Sequence, residues 1–334
     1  MSYIQPNWFS LFKNNDNIDE GISDKFIEVL KKCARPHIIC IYGDARTGKS
    51  TKMNQIINGT TANNYFNLKQ PFETRREIYS TMTKGCNFYG PIKIKDIANK
   101  NNIDICEIDK EIINDELFFV DTEGLRTIDK TTKSCVSGIL TILQIASIKI
   151  LYTPLLDNEK LEEAAKNVKL SNILNLINNE SQIIVLIRDV RTDEKIERRI
   201  MGDLGHQKKE CENKINDYFQ EIDGNINAIC EILPSYDLAS RDVEPFPYCY
   251  KEKMKNLVLL ILTNIRNNNM DGPKLIDIIK DFLEIFKKVK DIENMKNTEN
   301  AINMILSELF KEKILKIYLD ILDRKSLDYK DDKE

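Results

Sequence analysis

Glycine and histidine are scarce in this chain, and each scarcity narrows what the protein can be. The 334 residues contain 12 glycines and two histidines, His37 and His206. So few histidines argue against a His-rich metal site and against a histidine-based catalytic triad. Because soluble proteins average about 7% glycine, each glycine here is informative about backbone geometry.

Paired cysteines, targeting segments and long apolar runs are also missing. The eight cysteines stand singly, without a C-x-x-C pair, which excludes a zinc ribbon and a thioredoxin-type motif. The N-terminal residues lack the basic stretch and apolar core of a signal peptide. No window resembles a membrane-spanning helix, and the final residues, LDYKDDKE, contain no prenylation box. We therefore expect a soluble, cytoplasmic protein with free thiols.

The charge balance excludes one class of partner. Lysine and arginine total 49 against 53 aspartates and glutamates, which gives a net charge of −4. Nucleic-acid binding proteins carry a basic face, so we expect no nucleic-acid partner. With 42% hydrophobic and 31% charged residues, the composition is that of an ordinary globular protein.

Short apolar runs alternate with amphipathic segments through the first two-thirds of the chain. This pattern predicts an α/β fold with a mostly parallel sheet flanked by helices, of the P-loop NTPase type. After residue 251 the pattern is almost entirely helical, which predicts a large domain at 1–290 and a helical extension with a polar tail at 291–334. The predicted strands are 37–42, 116–120, 148–152, 182–187 and 228–233. The predicted helices are 24–33, 51–58, 134–146, 159–178, 195–222, 252–265, 274–290 and 293–322.

The most specific motif is a phosphate-binding loop. Residues 43–50, GDARTGKS, fit G-x-x-x-x-G-K-[ST] and lie between a predicted strand and a predicted helix. Backbone N–H groups of such a loop surround phosphate oxygens, its lysine reaches the β- and γ-phosphates, and its serine hydroxyl binds Mg²⁺. The candidate nucleotide-binding residues are Gly43, Asp44, Ala45, Arg46, Thr47, Gly48, Lys49, Ser50 and Thr51.

A second motif, D-x-x-G, follows the predicted strand at 116–120. Asp121 would act at Mg²⁺, and the N–H of Gly124 would meet the γ-phosphate. A P-loop followed about 70 residues later by D-x-x-G is the order found in GTPases, although D-x-x-G alone is also compatible with an ordinary turn. Leu125 stands where small GTPases carry the glutamine that orients the attacking water.

Two further elements complete the predicted site. Thr83, in T-K-G, is the candidate threonine that closes over Mg²⁺ and the γ-phosphate; the alternative is a plain loop threonine. Arg188 and Asp189 stand at the C-terminal end of a predicted strand, at the edge where nucleotides bind parallel sheets. The Asp189 carboxylate could accept both guanine N1–H and N2–H, although a surface ion pair would explain it almost as well.

Taken together, GDARTGKS, TKG, DTEGL and RD, in this order, resemble the guanylate-binding-protein and atlastin branch of the dynamin-like large GTPases. ICEILPSYDL and DGPKLIDIIKDFLEIF resemble later parts of the same domain, so the resemblance covers about residues 24–320. It implies Mg²⁺-dependent hydrolysis of GTP to GDP, coupled to a nucleotide-dependent homodimer of the GTPase domain. A membrane or membrane-protein target would also fit this branch.

The resemblance also implies roles for single residues. Arg46 matches an internal arginine finger that turns inward when two GTPase domains meet; without the resemblance, an exposed loop arginine is as good an interpretation. Lys49 and Arg46 would stabilise phosphoryl charge, while Ser50 and Thr83 would bind Mg²⁺ and Asp121 would hold a water ligand of the ion. Thr81 lies where some relatives have a hydroxyl that helps to hold the attacking water.

Departures from this branch leave alternatives open. The chain has neither the long helical region and lipidation box of guanylate-binding proteins nor the membrane segments of atlastins, so we expect a truncated or a minimal relative. Cys86 and Asn87 replace the apolar–aromatic pair that follows T-K-G. The alternative function is a GTP-dependent assembly module with negligible turnover. A P-loop kinase or ATPase is disfavoured, because no lid-like arginine helix or adenine-specific element can be identified.

Overall fold

The computed structural model of the chain describes the residues that build the sheet and most of its flanking helices. These are residues 6–13, 21–43, 47–60, 68–74, 86–122, 133–153, 182–190, 208–217, 220, 228–234, 248–266, 270–288, 307 and 311. The strands are β1 (Asn7–Ser10), β2 (Pro36–Tyr42), β3 (Cys86–Lys93), β4 (Glu116–Thr122), β5 (Ile148–Thr153), β6 (Gln182–Val190) and β7 (Ala228–Pro234). The helices are α1 (Asp24–Leu30), α2 (Lys49–Asn58), α3 (Ile94–Lys100), α4 (Lys133–Ile145), α5 (residues 208–217), α6 (Tyr248–Thr263) and α7 (Gly272–Lys288).

The strands form one seven-stranded sheet in the order β1-β3-β4-β2-β5-β6-β7. Strands β4, β2, β5, β6 and β7 are parallel to one another. At one edge of the sheet, β3 is antiparallel to both of its neighbours, β4 and the edge strand β1. The predicted fold class, a mostly parallel α/β sheet flanked by helices, is confirmed.

Helices cover both faces of the sheet, which explains why the central strands are apolar along their whole length. Every residue of β2 and β5 is buried. One apolar cluster packs α1, α4 and α7 against the sheet, and a second packs α2, α3 and α6 against its other face. In the described parts of the chain, no helix is both long and apolar enough to cross a bilayer.

The sequence pattern missed three elements, namely β1, β3 and α3. Strand β3 contains Gly90-Pro91, a pair that normally marks a turn. The sheet accommodates it because the β3–β4 register shifts between Tyr89 and Ile92, and proline is tolerated in strands at such irregularities. Helix α2 begins at Lys49, two residues before the predicted start. The predicted helix at 159–178 and the boundary at residue 290 lie outside the described residues.

Candidate functional site

Three of the predicted motifs meet at one edge of the sheet, where the parallel strands have their carboxyl ends. Gly43 directly follows β2. Asp121 is the next-to-last residue of β4, and Asp189 is the next-to-last residue of β6. Tyr152 occupies the corresponding place in β5. Because ligands of open α/β sheets bind at this edge, the fold gathers the predicted residues where a nucleotide would bind.

The P-loop departs from β2 at a backbone position that only glycine suits. Gly43 has a φ of +139°, and a Cβ built on it would lie 2.4 Å from the carbonyl oxygen of Tyr152. Gly48, at the other end of the loop, has a φ of +88° and forms the N-cap of α2. These two glycines therefore allow the chain to leave β2 close against the end of β5 and to enter α2.

Lys49 begins α2, and its side chain reaches back to Gly43, the first residue of the motif. Lys49 is 6% exposed, and its Nζ donates a hydrogen bond to the carbonyl oxygen of Gly43 at 3.3 Å. An ammonium is costly to bury without oxygen partners. The hydrogen bond to Gly43 supplies one such partner and keeps the ammonium beside the end of β2.

Ser50 and Asp121 connect the P-loop helix to β4. The Ser50 hydroxyl donates a hydrogen bond of 2.6 Å to Oδ2 of Asp121. Asp121 is buried, with 1% of its surface exposed. The parallel register pairs Asp121 with Ile41, and the Thr122 hydroxyl donates to the Ile41 carbonyl oxygen at 3.0 Å. These contacts fix the end of β4 beside the start of the P-loop.

The donor set at this contact suits Mg²⁺. A hydroxyl and a carboxylate oxygen are hard ligands, and Mg²⁺ is usually bound by one or two such protein groups together with substrate phosphates. Within the described ranges, no group of three or more His, Cys, Asp or Glu side chains could hold a metal by itself. The Ser50 hydroxyl and the Asp121 carboxylate are ligands of the kind that Mg²⁺ combines with the phosphates of a nucleotide.

Lys52, one turn further along α2, is a buried residue that the sequence reasoning missed. It is 4% exposed, and its Nζ donates to Oε1 of Gln55 at 2.8 Å and to the hydroxyl of Tyr250. The same Nζ lies 4.7 Å from the ring centroid of Tyr250 and 6.0 Å from that of Tyr152. Lysines in amphipathic helices usually face solvent, so the sequence offers no signal that this one is enclosed by α6 and β5.

Several predicted site residues fall outside what the structure describes. The backbone of Arg188 and Asp189 belongs to β6, which agrees with their predicted place at a strand end, but their side chains are not described. Thr47 is buried and Thr51 is half-buried in the described part of the loop and helix. The predicted residues outside the described ranges are Asp44, Ala45, Arg46, Thr81, Thr83, Gly124 and Leu125.

Comparison with known proteins finds likeness to solved structures alone. No protein-family model matches the chain, and no curated protein matches it. A variant of Era from Aquifex aeolicus bound to GDP and AlF4− is 14% identical with a TM-score of 0.38, covering 70% of this chain and 58% of that one. Era with MgGDPNP and part of 16S ribosomal RNA is 12% identical with a TM-score of 0.34, again covering 70% and 58%. Likeness at this level carries no argument about function, and the chain spans less than two thirds of either neighbour.

Proposed function

We propose that this chain binds GTP together with Mg²⁺ and hydrolyses it to GDP and phosphate. The observation that carries the proposal is the 2.6 Å contact between the Ser50 hydroxyl and Asp121. It joins the last residue of the G-x-x-x-x-G-K-[ST] motif to the first residue of D-x-x-G, two motifs separated by 71 positions in the chain. GTPases use these two motifs as the two sides of one metal and phosphate site.

The P-loop would hold the phosphates through its backbone and Lys49. The first turn of α2 follows the loop with its N–H groups and the positive end of the helix dipole, which favour an anion. Lys49, now bonded to the Gly43 carbonyl, would turn to the β- and γ-phosphate oxygens. Gly124 would donate its N–H to the γ-phosphate.

Ser50 and Thr83 would bind Mg²⁺, and Asp121 would lie beside the ion. When bound, the ion neutralises charge that develops on the phosphate oxygens. Arg46 would add a second cation to Lys49 at the transferring phosphoryl group. This arrangement suits a site with Leu125 in place of a water-orienting glutamine, and Thr81 would help to hold the attacking water.

Guanine would be selected by Asp189. Its backbone lies near the carboxyl end of β6, two strands away from the P-loop strand β2 in the sheet order. A carboxylate there could accept both N1–H and N2–H of guanine, whereas adenine offers no such pair. A preference for ATP over GTP would favour the kinase or ATPase alternative.

We further propose that hydrolysis is coupled to formation of a homodimer through this domain. In that case specific activity rises with protein concentration. The alternative, a GTP-dependent assembly module, predicts a dimer on GTP binding with negligible turnover at every concentration. The dimer and the role of Arg46 rest on the resemblance of the motif set, including RD and TKG.

A nucleotide-binding and phosphate-release experiment tests the proposal. The unaltered chain should bind GTP and GDP in the presence of Mg²⁺ and release phosphate from GTP. Lys49→Ala and Ser50→Asn should abolish nucleotide binding with only a modest change in the melting temperature without ligand, because both residues lie at the edge of the core. Lys110→Ala, a change at an exposed lysine, is the matched control. Failure of the unaltered chain to bind guanine nucleotides would overturn the proposal.

A further inference from the structure

Lys52 is enclosed by side chains from three elements of the fold. Besides Gln55 and Tyr250, its Nζ contacts the sulfur of Met254 at 3.9 Å. The Tyr250 hydroxyl in turn donates to Oε1 of Gln55 at 2.7 Å, so one amide oxygen accepts from both groups. Lys52 and Gln55 belong to α2, Tyr250 and Met254 to α6, and Tyr152 to β5.

Enclosing an ammonium in this way has an energetic cost that the surroundings must offset. A buried cation without partners is strongly unfavourable, while hydrogen bonds to a charged donor and cation–π contacts with desolvated aromatic rings are stronger than their exposed counterparts. Both kinds of contact require Tyr250 to keep its place against α2. Lys52 therefore stabilises one particular arrangement of α2 relative to α6.

The two elements that Lys52 joins pack against different strands of the sheet: α2 against β2 and β4, and α6 against β7. Helix α2 continues from the P-loop, on the phosphate side. Tyr250 lies in the first turn of α6, and β7, against which α6 packs, is the neighbour of β6, the strand that carries Asp189. Tyr152, whose ring faces Lys52, also has its carbonyl oxygen against Gly43.

We propose that Lys52 is a positioning residue that holds the P-loop helix at a fixed distance from the base side of the nucleotide site. This inference rests on the proposed function, because it assumes that a nucleotide spans both sides. A ligand that contacts both sides binds more tightly when α2 and α6 are already in place, because binding then spends no free energy on ordering them. A ligand that contacts the P-loop alone gains nothing from that distance.

This difference provides the test. The affinity of the full chain for GDP is measured by displacement of a fluorescent GDP analogue, and the affinity for inorganic tripolyphosphate by the same competition, both with Mg²⁺. The variants are Lys52→Met, which keeps the length of the side chain without its charge, and Tyr250→Phe, which removes one hydroxyl. Lys274→Met, at an exposed lysine of α7, is the control.

We expect both variants to weaken GDP binding, Lys52→Met by about tenfold, which is within the coupling range of contacting residues. Tripolyphosphate affinity should change by less than about twofold. The double variant should be no weaker than Lys52→Met, because the hydroxyl acts through the ammonium.

Two results would overturn the inference. Equal losses for GDP and tripolyphosphate would mean that Lys52 merely supports the P-loop, and unchanged GDP affinity in both variants would mean that the contact has no role in binding. Either result is distinct from failure of the proposed function, in which the unaltered chain itself does not bind GDP.

Discussion

Gly43 lies so close to Tyr152 that the start of the P-loop cannot accept a side chain. A Cβ at Gly43 would lie 2.4 Å from the Tyr152 carbonyl oxygen, a backbone atom that cannot move away without distorting β5. The φ of +139° adds strain for any residue other than glycine. We predict that Gly43→Ala loses GTP binding and lowers the free energy of unfolding by on the order of 1–3 kcal/mol, measured by nucleotide titration and urea denaturation.

Gly21→Ala provides the control for this effect. Gly21 also has a positive φ, of +80°, but a Cβ there meets nothing within 4 Å. It should therefore show the backbone cost alone, roughly 1–2 kcal/mol, and keep nucleotide binding. Equal nucleotide affinity in the two variants would show that the approach to Tyr152 is not needed for the loop.

Guanine selectivity through Asp189 can be tested by changing one atom of the side chain. Asp189→Asn replaces a carboxylate that accepts from two guanine N–H groups with an amide that matches only one, and unpaired polar groups in a specific site weaken binding strongly. We expect weaker GTP binding and a relaxed preference toward xanthine nucleotides, whose C2 carbonyl suits the amide. Competition titrations with guanine and xanthine nucleotides measure the two affinities. Unchanged guanine affinity would locate base recognition elsewhere in the chain.

The sequence predicted the parallel strands well because each is a continuous apolar run buried on both faces. It failed at β1 and β3 for physical reasons. Strand β1 has only four residues, too few to show a period, and Gly90-Pro91 in β3 resembles a turn. Both strands exist because neighbouring strands supply hydrogen-bond partners, and that information is not local.

In the candidate site, too, the residues specified by local motifs were predicted and a residue that depends on tertiary packing was not. Lys49, Ser50 and Asp121 were predicted because local motifs specify them, and strand order brings them together. Lys52 was not predicted, since nothing near it in the sequence indicates that this lysine is buried. Its burial depends on how α6 packs against α2, which only the tertiary structure shows.

The role of Arg46 separates an enzyme from a binding module. An arginine finger acts on charge that develops in the transition state, so it should add little to the ground-state affinity for GTP. Such residues contribute about 10³–10⁵ in kcat elsewhere; without a water-orienting glutamine we expect about 10²–10³ here. Arg46→Ala should bind GTP within about threefold of the parent while losing most turnover.

The same variant should fail to dimerise with GDP and aluminium fluoride, because the finger would turn inward only when two domains meet. Phosphate release against protein concentration and solution mass measure the two effects. A variant that hydrolyses GTP at the parent's concentration-stimulated rate would make Arg46 an ordinary loop residue and would remove the proposed mechanism.

Lys149 gives the fold a pH dependence that is independent of nucleotide chemistry. It lies fully buried in β5, opposite Cys40 of β2, and burial lowers the pKa of its ammonium from 10.5 to about 7. Burial also raises the pKa of the Cys40 thiol, so this neighbour stays uncharged. Below pH 7 both the folded and unfolded states carry the charge, and folding pays the full desolvation cost.

Between the two pKa values the unfolded chain binds the proton and the folded chain does not, so this residue makes stability rise with pH by up to about 1.4 kcal/mol per pH unit. Lys149→Met removes the titrating group and keeps the side-chain length. We predict that the variant is more stable than the parent near pH 6, and that its advantage falls by up to about 3 kcal/mol by about pH 9. Urea midpoints of both proteins at these pH values measure the difference, in which titrations common to the two proteins cancel. An advantage that stays constant with pH would contradict the lowered pKa, whereas a loss of stability at every pH would mean that the ammonium makes contacts worth more than its desolvation costs.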